Sequence, residues 1–401
     1  MTQLTNQQPT IEALIMLGGM GQNPAETLMQ KALEAAAFDL AQICHESGEF
    51  AEITIVADSN INTPDDEAVS LQLSRPHATF GNLINQFSQS LSQKTTKVDG
   101  YVYFGAGSGP LLTSDDIQIL SKLLSNADPN SCVTNNRYSA DFFGVRPTNI
   151  LESLNPPPVS DNNVPIRLID ENKTSVIEMK RSAITQFNID VPSDLATLSL
   201  IKSSGPELKA FIAQKNAVLN HAASAQWRAS QHFLRKDSEV FIYGRTSSRV
   251  WSYLETETAC KIRIISEERG LKSAPEGHRA RSILAYLIQV YGAQEFFCRL
   301  LPQFCSAAFI DLIPIIEHME LTCSRSDRFS AYLLHHHDIE NELLKEIIVA
   351  ITESPIPIAV GGHSLVSSSL EILNQLVWDV ADNLIPSPIK DSYSSTFKAK
   401  L

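Results

Sequence analysis

The sequence lacks paired cysteines, long apolar runs and any excess of basic residues. Its six cysteines include no Cys-x-x-Cys pair, so neither a zinc site nor a disulfide framework is expected, and Cys298 and Cys305 are predicted to be buried thiols. The longest apolar stretch, residues 304–316, is interrupted by Asp311 and Pro314, whereas a membrane-spanning helix needs about 20 apolar residues. We therefore expect no membrane partner.

Basic residues are especially scarce in the first half of the chain. Residues 1–200 contain 11 Lys and Arg against 23 Asp and Glu, a net charge of −12, while the remaining residues are nearly balanced at −1. Such an acidic surface repels a phosphate backbone, so no nucleic-acid partner is expected. A single nucleotide remains an acceptable ligand when Mg²⁺ offsets the carboxylates. The first residues show no secretory signal pattern, and we expect a cytoplasmic protein.

The 401 residues exceed what one hydrophobic core usually serves, so two domains are expected. In the first half, apolar strand patterns at 11–17, 50–57 and 100–104 alternate with helical patterns at about 24–47 and 80–91. This alternation predicts a mostly parallel sheet covered by helices. A boundary near 203–206 is predicted to separate an α/β domain at 1–205 from a mixed α/β, mostly helical domain at 206–401.

Three glycine-rich turns each follow an apolar strand pattern and precede a helical one. The first contains Gly18, Gly19 and Gly21, the second Gly105, Gly107, Ser108 and Gly109, and the third Gly361 and Gly362 before His363. Backbone N–H groups at such turns can hold phosphate, and glycine lets a ligand approach closely. Simple chain reversal is the alternative for each turn taken singly, and none has the spacing of a dinucleotide-binding fingerprint.

Four segments of the first half resemble, in order and spacing, the MobA-like nucleotidyltransferase family, which includes the molybdenum-cofactor guanylyl- and cytidylyltransferases. The segments are the first glycine turn, Pro-Leu-Leu-Thr at 110–113, residues 134–139 and residues 188–195. The resemblance covers roughly residues 11–205. It implies a three-layer domain of the GT-A type, with Gly18 and Gly107 ending neighbouring strands. It also implies a nucleotide site that contains Gly18, Gly19, Gly21, Gly105, Gly107, Ser108, Gly109 and Arg137.

In that family an acceptor phosphate attacks the α-phosphate of a nucleoside triphosphate, assisted by Mg²⁺ on two separated carboxylates. Asp190 matches one carboxylate, but Gly107, Ser108 and Gly109 stand where the family has the other, and the first basic residue after the first turn is Lys31. We therefore expect binding of a nucleotide or nucleotide-sugar-like ligand, with weak or no transfer to a small phosphorylated acceptor. The alternatives are a non-catalytic protein used in sensing or assembly, and an unrelated enzyme with its site at the domain junction.

The second half offers a candidate anion site. Arg245 and Arg249 flank Thr-Ser-Ser at a predicted helix start, and together with Ser247 and His363 they are predicted to direct donors at a bound phosphate. A capped helix with solvated arginines is the alternative. Three consecutive histidines at 335–337 point in different directions, so we expect no metal site there. The base, the acceptor and the oligomeric state stay open.

Overall fold

The computed structural model describes residues 9–58, 61, 69–74, 78–201, 203–268 and 280–389. The chain divides into two compact units, each built around its own sheet. The first unit contains the described residues up to Met20, residues 30–188 and residues 204–208. The second contains residues 21–29, residues 189–203 and the chain from Lys209 onward. Within the described ranges, no helix is long and apolar enough to cross a membrane.

Seven strands form the sheet of the first unit. They are β1 (Ile11–Leu17), β2 (Ile53–Ala57), β3 (Val69–Leu73), β4 (Gly100–Gly105), β5 (Ser131–Thr134), β6 (Phe142–Arg146) and β7 (Ser175–Glu178). Their order is β3-β2-β1-β4-β6-β5-β7, and neighbouring strands are parallel except where β6 pairs with β4 and β5. The prediction of a mostly parallel α/β domain is confirmed.

Helices lie on both faces of this sheet. The helices up to residue 188 are α1 (Pro24–Ser47), α2 (Phe80–Ser92), α3 (Ser114–Asn126), α4 (Val164–Asn172) and α5 (Ala183–Gln186). Phe143 and Val145 of β6 pack in one core cluster with Phe87 of α2. Gly144, between them, lies against the Leu124 side chain of α3. Because alternate strand residues face opposite sides of a sheet, α2 and α3 cover opposite faces, and the domain has three layers.

Helix α3 begins with a capping box formed by Thr113 and Asp116. Thr113 Oγ1 accepts a hydrogen bond from the Asp116 N–H at 3.3 Å, and Asp116 Oδ2 accepts one from the Thr113 N–H at 2.9 Å. This capping box satisfies two N–H groups near the helix start. Asp116 therefore serves as a helix cap.

Four parallel strands form the sheet of the second unit. They are β8 (Glu239–Gly244), β9 (Lys261–Ser266), β10 (Ala307–Asp311) and β11 (Ile358–Gly361), in the order β11-β10-β8-β9. The remaining helices are α6 (Pro192–Ile201), α7 (Pro206–Gln214), α8 (Asn216–Ser230), α9 (Ser248–Glu257), α10 (Ile283–Tyr291), α11 (Ala293–Glu295), α12 (Ile313–His318), α13 (Arg325–Tyr332), α14 (Glu342–Thr352) and α15 (Ser368–Ala381). The second half is thus α/β and rich in helix, as predicted.

One helical sequence pattern of the second half is interrupted in the structure. The sequence pattern predicts a single helix over 207–234, whereas the structure has α7 and α8 separated at Lys215, followed by a 3₁₀ turn at Gln231–Leu234. The apolar side of α8, including Trp227, packs with Val240 and Phe309 in the core of the second unit. Packing on the second sheet therefore sets the position of α8, which the helical periodicity alone does not show.

A buried ion pair lies in the first unit. Glu12 of β1 is only 2% exposed, and its two carboxylate oxygens accept hydrogen bonds from Lys94 Nζ at 2.6 and 2.8 Å. The same ammonium group donates to Glu52 Oε2 at 2.7 Å. Burial raises the pKa of Glu12, and the bonds from Lys94 oppose that rise. Lys94 therefore offsets the free-energy cost of burying the Glu12 carboxylate in the sheet.

Replacing Lys94 with Met should lower the free energy of unfolding by about 3 kcal/mol, because a buried carboxylate loses its cation. Urea unfolding at neutral pH measures the change. The matched control is Lys97→Met, since the Lys97 side chain is 86% exposed and pairs with Asp99 at the surface. This control should change stability by roughly 0.5 kcal/mol or less. Equal effects of the two substitutions would contradict the assignment.

Candidate functional site

Two glycine-rich turns of the first unit leave neighbouring parallel strands. β1 pairs with β4, with Met16 opposite Gly105, so both strands end at the same edge of the sheet. Strands β2 and β3 lie beside β1 on one side of this pair, and strands β6, β5 and β7 lie beside β4 on the other side. Ligands of open α/β sheets bind where the strand order reverses in this way. The prediction that Gly18 and Gly107 follow the carboxyl ends of neighbouring strands is confirmed.

The turn after β1 is open to solvent. Gly18 and Gly19 are both exposed, and a Cβ built on Gly18 would have no atom of the described residues within 4 Å. A Cβ on Gly19 would overlap the Asp58 carboxylate, so this side chain lies directly against the turn. Asp58 follows the last residue of β2 and is itself exposed. Gly21 follows in the chain, belongs to the second unit and lies against the Glu26 carboxylate.

The turn after β4 is buried and internally bonded. The Ala106 N–H donates to Met16 O at 2.9 Å and the Ser108 N–H to Gly105 O at 2.9 Å. The Ser108 hydroxyl donates to Asp141 O at 2.6 Å. Gly109 has a φ of +55°, a left-handed conformation that favours glycine. This turn is therefore held rigidly, with the Ser108 hydroxyl engaged inside the unit.

Asp141 holds several of the predicted segments together at this edge. Its Oδ2 accepts a hydrogen bond from Asn135 Nδ2 at 2.8 Å, and its Oδ1 accepts one from Asn188 Nδ2 at 3.1 Å. The Asp141 N–H donates back to Asn135 Oδ1 at 3.1 Å. Through Ser108, the same residue also contacts the turn after β4. The segments 134–139 and 188–195 that carry the family resemblance thus meet at one carboxylate.

Arg137 shares one carboxylate with a second arginine. Glu178, the last residue of β7, pairs with Arg181 at 2.6 Å and with Arg137 Nε at 3.2 Å. Although burial raises the pKa of Glu178, the hydrogen bond from the Arg137 N–H and the two guanidinium groups lower it below its usual value. Two positive charges face one negative charge, so this half-exposed cluster keeps a net positive charge. Neither Glu178 nor Arg181 was singled out from the sequence.

Asp190, the predicted metal ligand, belongs to the second unit. Its N–H donates to Asp194 Oδ2 at 2.9 Å. Burial, together with the charge of Asp190, raises the pKa of Asp194 well above its usual range. Within the described part of the chain, no group of three or more His, Cys, Asp or Glu side chains could hold a metal ion. Metal binding by Asp190 stays a prediction.

The predicted anion-site arginines each bind a carboxylate. Arg245 donates to Asp311 from Nε at 2.6 Å and from Nη2 at 3.1 Å. Arg249 binds both oxygens of Glu371, with Nη2 at 2.9 Å from Oε2. The other two predicted residues lie at strand-to-helix turns: Ser247 caps α9, and half-buried His363 follows Gly362, the residue after the end of β11. Asp311 ends an apolar strand, and this position could have identified it from the sequence.

No family model and no curated protein sequence matches this chain. Among solved structures, it is similar to 4-diphosphocytidyl-2C-methyl-D-erythritol synthase from Anaerococcus prevotii, with 11% identity over 46% of this chain and 94% of that one, at a TM-score of 0.30. It is also similar to 2-C-methyl-D-erythritol 4-phosphate cytidylyltransferase from Thermus thermophilus, with 14% identity over 52% of this chain and 99% of that one, at a TM-score of 0.30. The seven-stranded sheet itself, and not these matches, establishes the α/β class of the first unit.

Replacing Asp141 with Asn should destabilise the protein by about 2 kcal/mol, because an amide nitrogen then faces an amide donor and charge-assisted hydrogen bonds are lost. Urea unfolding measures the change. The control is Asp128→Asn, an exposed residue between α3 and β5, which should leave stability almost unchanged. An Asp141→Asn protein as stable as this control would show that the network does not hold the edge together.

Proposed function

We propose that the first unit binds a nucleotide or a nucleotide-sugar-like ligand at the carboxyl edge of its sheet. The observation that carries the proposal is the exposed Gly18–Gly19 turn beside the turn after β4, at the reversal of strand order. Among the described residues, none has an atom within 4 Å of a Cβ on Gly18, which allows a phosphate to approach the backbone closely. Backbone N–H groups at such a turn are suited to anionic oxygens.

Asp58 and the arginine cluster are suited to different chemical groups of such a ligand. A carboxylate after the second strand of a parallel sheet is placed to accept hydrogen bonds from ribose hydroxyls, as in dinucleotide-binding folds. Asp58 stands in that position, against Gly19. The net positive cluster of Arg137, Arg181 and Glu178 is suited to a terminal phosphate or to a small phosphorylated acceptor.

Mg²⁺ would bind at this edge only together with the phosphates of the ligand. Mg²⁺ is commonly held by one or two protein carboxylates together with substrate phosphates, so a dedicated three-ligand site is not required. Asp58 is the carboxylate that lies against the exposed turn. When bound, the ion would neutralise charge on the phosphates. The chain's own residues bind and orient the ligand, and the lack of a basic residue before Lys31 favours binding over efficient transfer.

Nucleotide binding should raise the melting temperature of the full chain. A thermal-shift panel of nucleoside triphosphates and nucleotide sugars, each with and without Mg²⁺, is expected to contain at least one stabilising ligand. Gly18→Val should weaken that ligand about tenfold or more, since its side chain fills the space that a phosphate needs. Because no atom of the described part of the chain lies within 4 Å of that Cβ position, the ligand-free variant should melt like the unchanged protein. An undiminished shift in Gly18→Val would place the ligand elsewhere.

Transfer activity should be weak or absent. With each of the four nucleoside triphosphates and Mg²⁺, we expect little or no pyrophosphate release above the buffer, because the family's phosphate-binding cation and one metal carboxylate are missing from the sequence. A coupled pyrophosphate assay with phosphorylated acceptors measures it. Robust turnover that Asp190→Ala abolishes would contradict this expectation and show that another carboxylate completes the metal site.

A further inference from the structure

An exposed apolar face lies on helix α10 of the second unit. Ile283, Tyr286, Val290 and Tyr291 are each more than half exposed. Intervals of three, four and seven residues put the first three of these on the same side of the helix, and partly exposed Leu287 lies among them. The residues Ile283, Tyr286, Leu287 and Val290 form the α10 face, and Tyr291 lies at its border.

The opposite side of α10 is apolar as well. Leu284, Ala285 and Ile288 are buried, and the helix lies against α12. None of the nine residues of α10 is charged. A helix at the protein surface ordinarily carries charged residues on its outer side, whereas a helix that is apolar all round is buried. The composition of α10 is therefore that of a helix covered on both sides.

The exposed area on α10 is large enough for a specific contact between proteins. Because one buried aromatic side chain covers roughly 150–250 Å², the four half-exposed side chains together offer roughly 500 Å². Apolar patches of this size on a protein surface are often functional. Two such patches in contact would bury about 1,000 Å², the area at which specific interfaces begin. A weak, micromolar interface is therefore the expected kind.

The α10 face is suited to a second copy of the same chain. Each chain has a net charge of −13, so two copies approach each other most easily where charged residues are absent. The face is also similar when read from either end. A β-branched residue stands at each end, Ile283 and Val290, and a larger side chain lies three residues further in, Tyr286 and Leu287. A two-fold axis through its middle therefore brings similar shapes together.

A lipid surface is a poorer partner for this face. Helices that lie on membranes carry Lys and Arg on their polar side, which attract anionic lipids. Helix α10 has no such residue, and the net negative charge of the chain opposes its approach to an anionic membrane. The charge pattern thus favours a protein partner over a membrane.

We propose that the α10 faces of two copies of this chain pair about a two-fold axis and form a homodimer. The two helices run antiparallel, which also sets their dipoles in a favourable orientation. Ile283 then packs against the partner subunit's Val290, and Tyr286 packs against the partner subunit's Leu287. The inference concerns residues of the second unit alone and does not depend on nucleotide binding by the first.

The first test is sedimentation velocity of the full chain between about 1 and 100 μM, the range in which a small interface dissociates. The unchanged protein should show a reversible monomer–dimer equilibrium. Ile283→Glu should weaken it about tenfold or more, because the new carboxylate would lose its water in an apolar interface. The matched control is Ile119→Glu on α3, since Ile119 is 52% exposed and Ile283 is 55% exposed. This control should dimerise like the unchanged protein.

Ile283→Glu should not disturb folding. Ser282 caps α10 by accepting a hydrogen bond from the Ala285 N–H at 2.9 Å, so Ile283 is the first residue of the helix. A carboxylate at this position interacts favourably with the helix dipole. The far-ultraviolet circular dichroism spectrum of the variant should match that of the unchanged protein.

The second test is rescue by opposite charges. Val290→Lys alone should weaken the dimer as Ile283→Glu does. In the double variant, the new carboxylate of each copy faces the new ammonium group of the other, and the affinity should return to within about threefold of that of the unchanged protein. Positions 283 and 290 are about 10 Å apart along one helix, so the two groups do not pair within one copy.

Three results would overturn the proposal. An unchanged protein that stays monomeric over the whole concentration range would show that a second copy does not cover the α10 face. A dimer that Ile283→Glu and Ile119→Glu leave equally intact would place the interface elsewhere. Failure of the double variant to dimerise better than either single variant would rule out the antiparallel pairing of the two helices.

Discussion

The feature on which both units depend is the reversal of strand order in a parallel sheet. Each parallel strand must return through a crossover, and crossovers that leave neighbouring strands in opposite directions open a crevice at the carboxyl ends. In the first sheet the reversal lies between β1 and β4, and in the second between β8 and β10. The glycine turn after β1, and the glycines that end β8 and β11, lie at these edges.

The two edges differ in how their charges are balanced. In the first unit, Asp141 is held by neutral amides, and Glu178 is shared by two arginines, which leaves a positive excess at one end of the edge. In the second unit, Arg245 pairs with Asp311 and Arg249 with Glu371, so each positive charge is balanced. The positive excess is one reason that we propose an anionic ligand for the first edge.

The alternation of strands and helices predicted the α/β class, and the family resemblance predicted the positions of Gly18 and Gly107, because both depend on local patterns. The contacts between distant segments could not be predicted in the same way. Nothing local indicates that Asp58 lies against Gly19, or that Asn135, Asp141 and Asn188 meet. The arginines after β8 were found from their motif, but their carboxylate partners come from β10 and α15 and depend on tertiary packing.

The exact division of the chain into two units could not be predicted from the order of the sequence patterns. The predicted boundary near 203–206 treats each domain as one continuous segment. In the structure, residues 21–29 and 189–203 belong to the second unit, and residues 204–208 to the first. The segment 188–195 therefore contributes Asn188 to the edge of the first sheet and Ser193, which lies against Gly361, to the edge of the second. Residues that form one continuous motif in the sequence thus belong to two different structural units.

Nucleotide binding at the edge of the first sheet is the central claim, and amide NMR of the full chain tests it most directly. A ¹⁵N-labelled, deuterated sample titrated with the best nucleotide from the thermal panel should shift the Gly18 and Gly19 amide resonances more than those elsewhere in the first unit. The shifts should saturate with the same affinity as the thermal effect. Saturable shifts that leave the Gly18 and Gly19 amides unchanged would contradict the account.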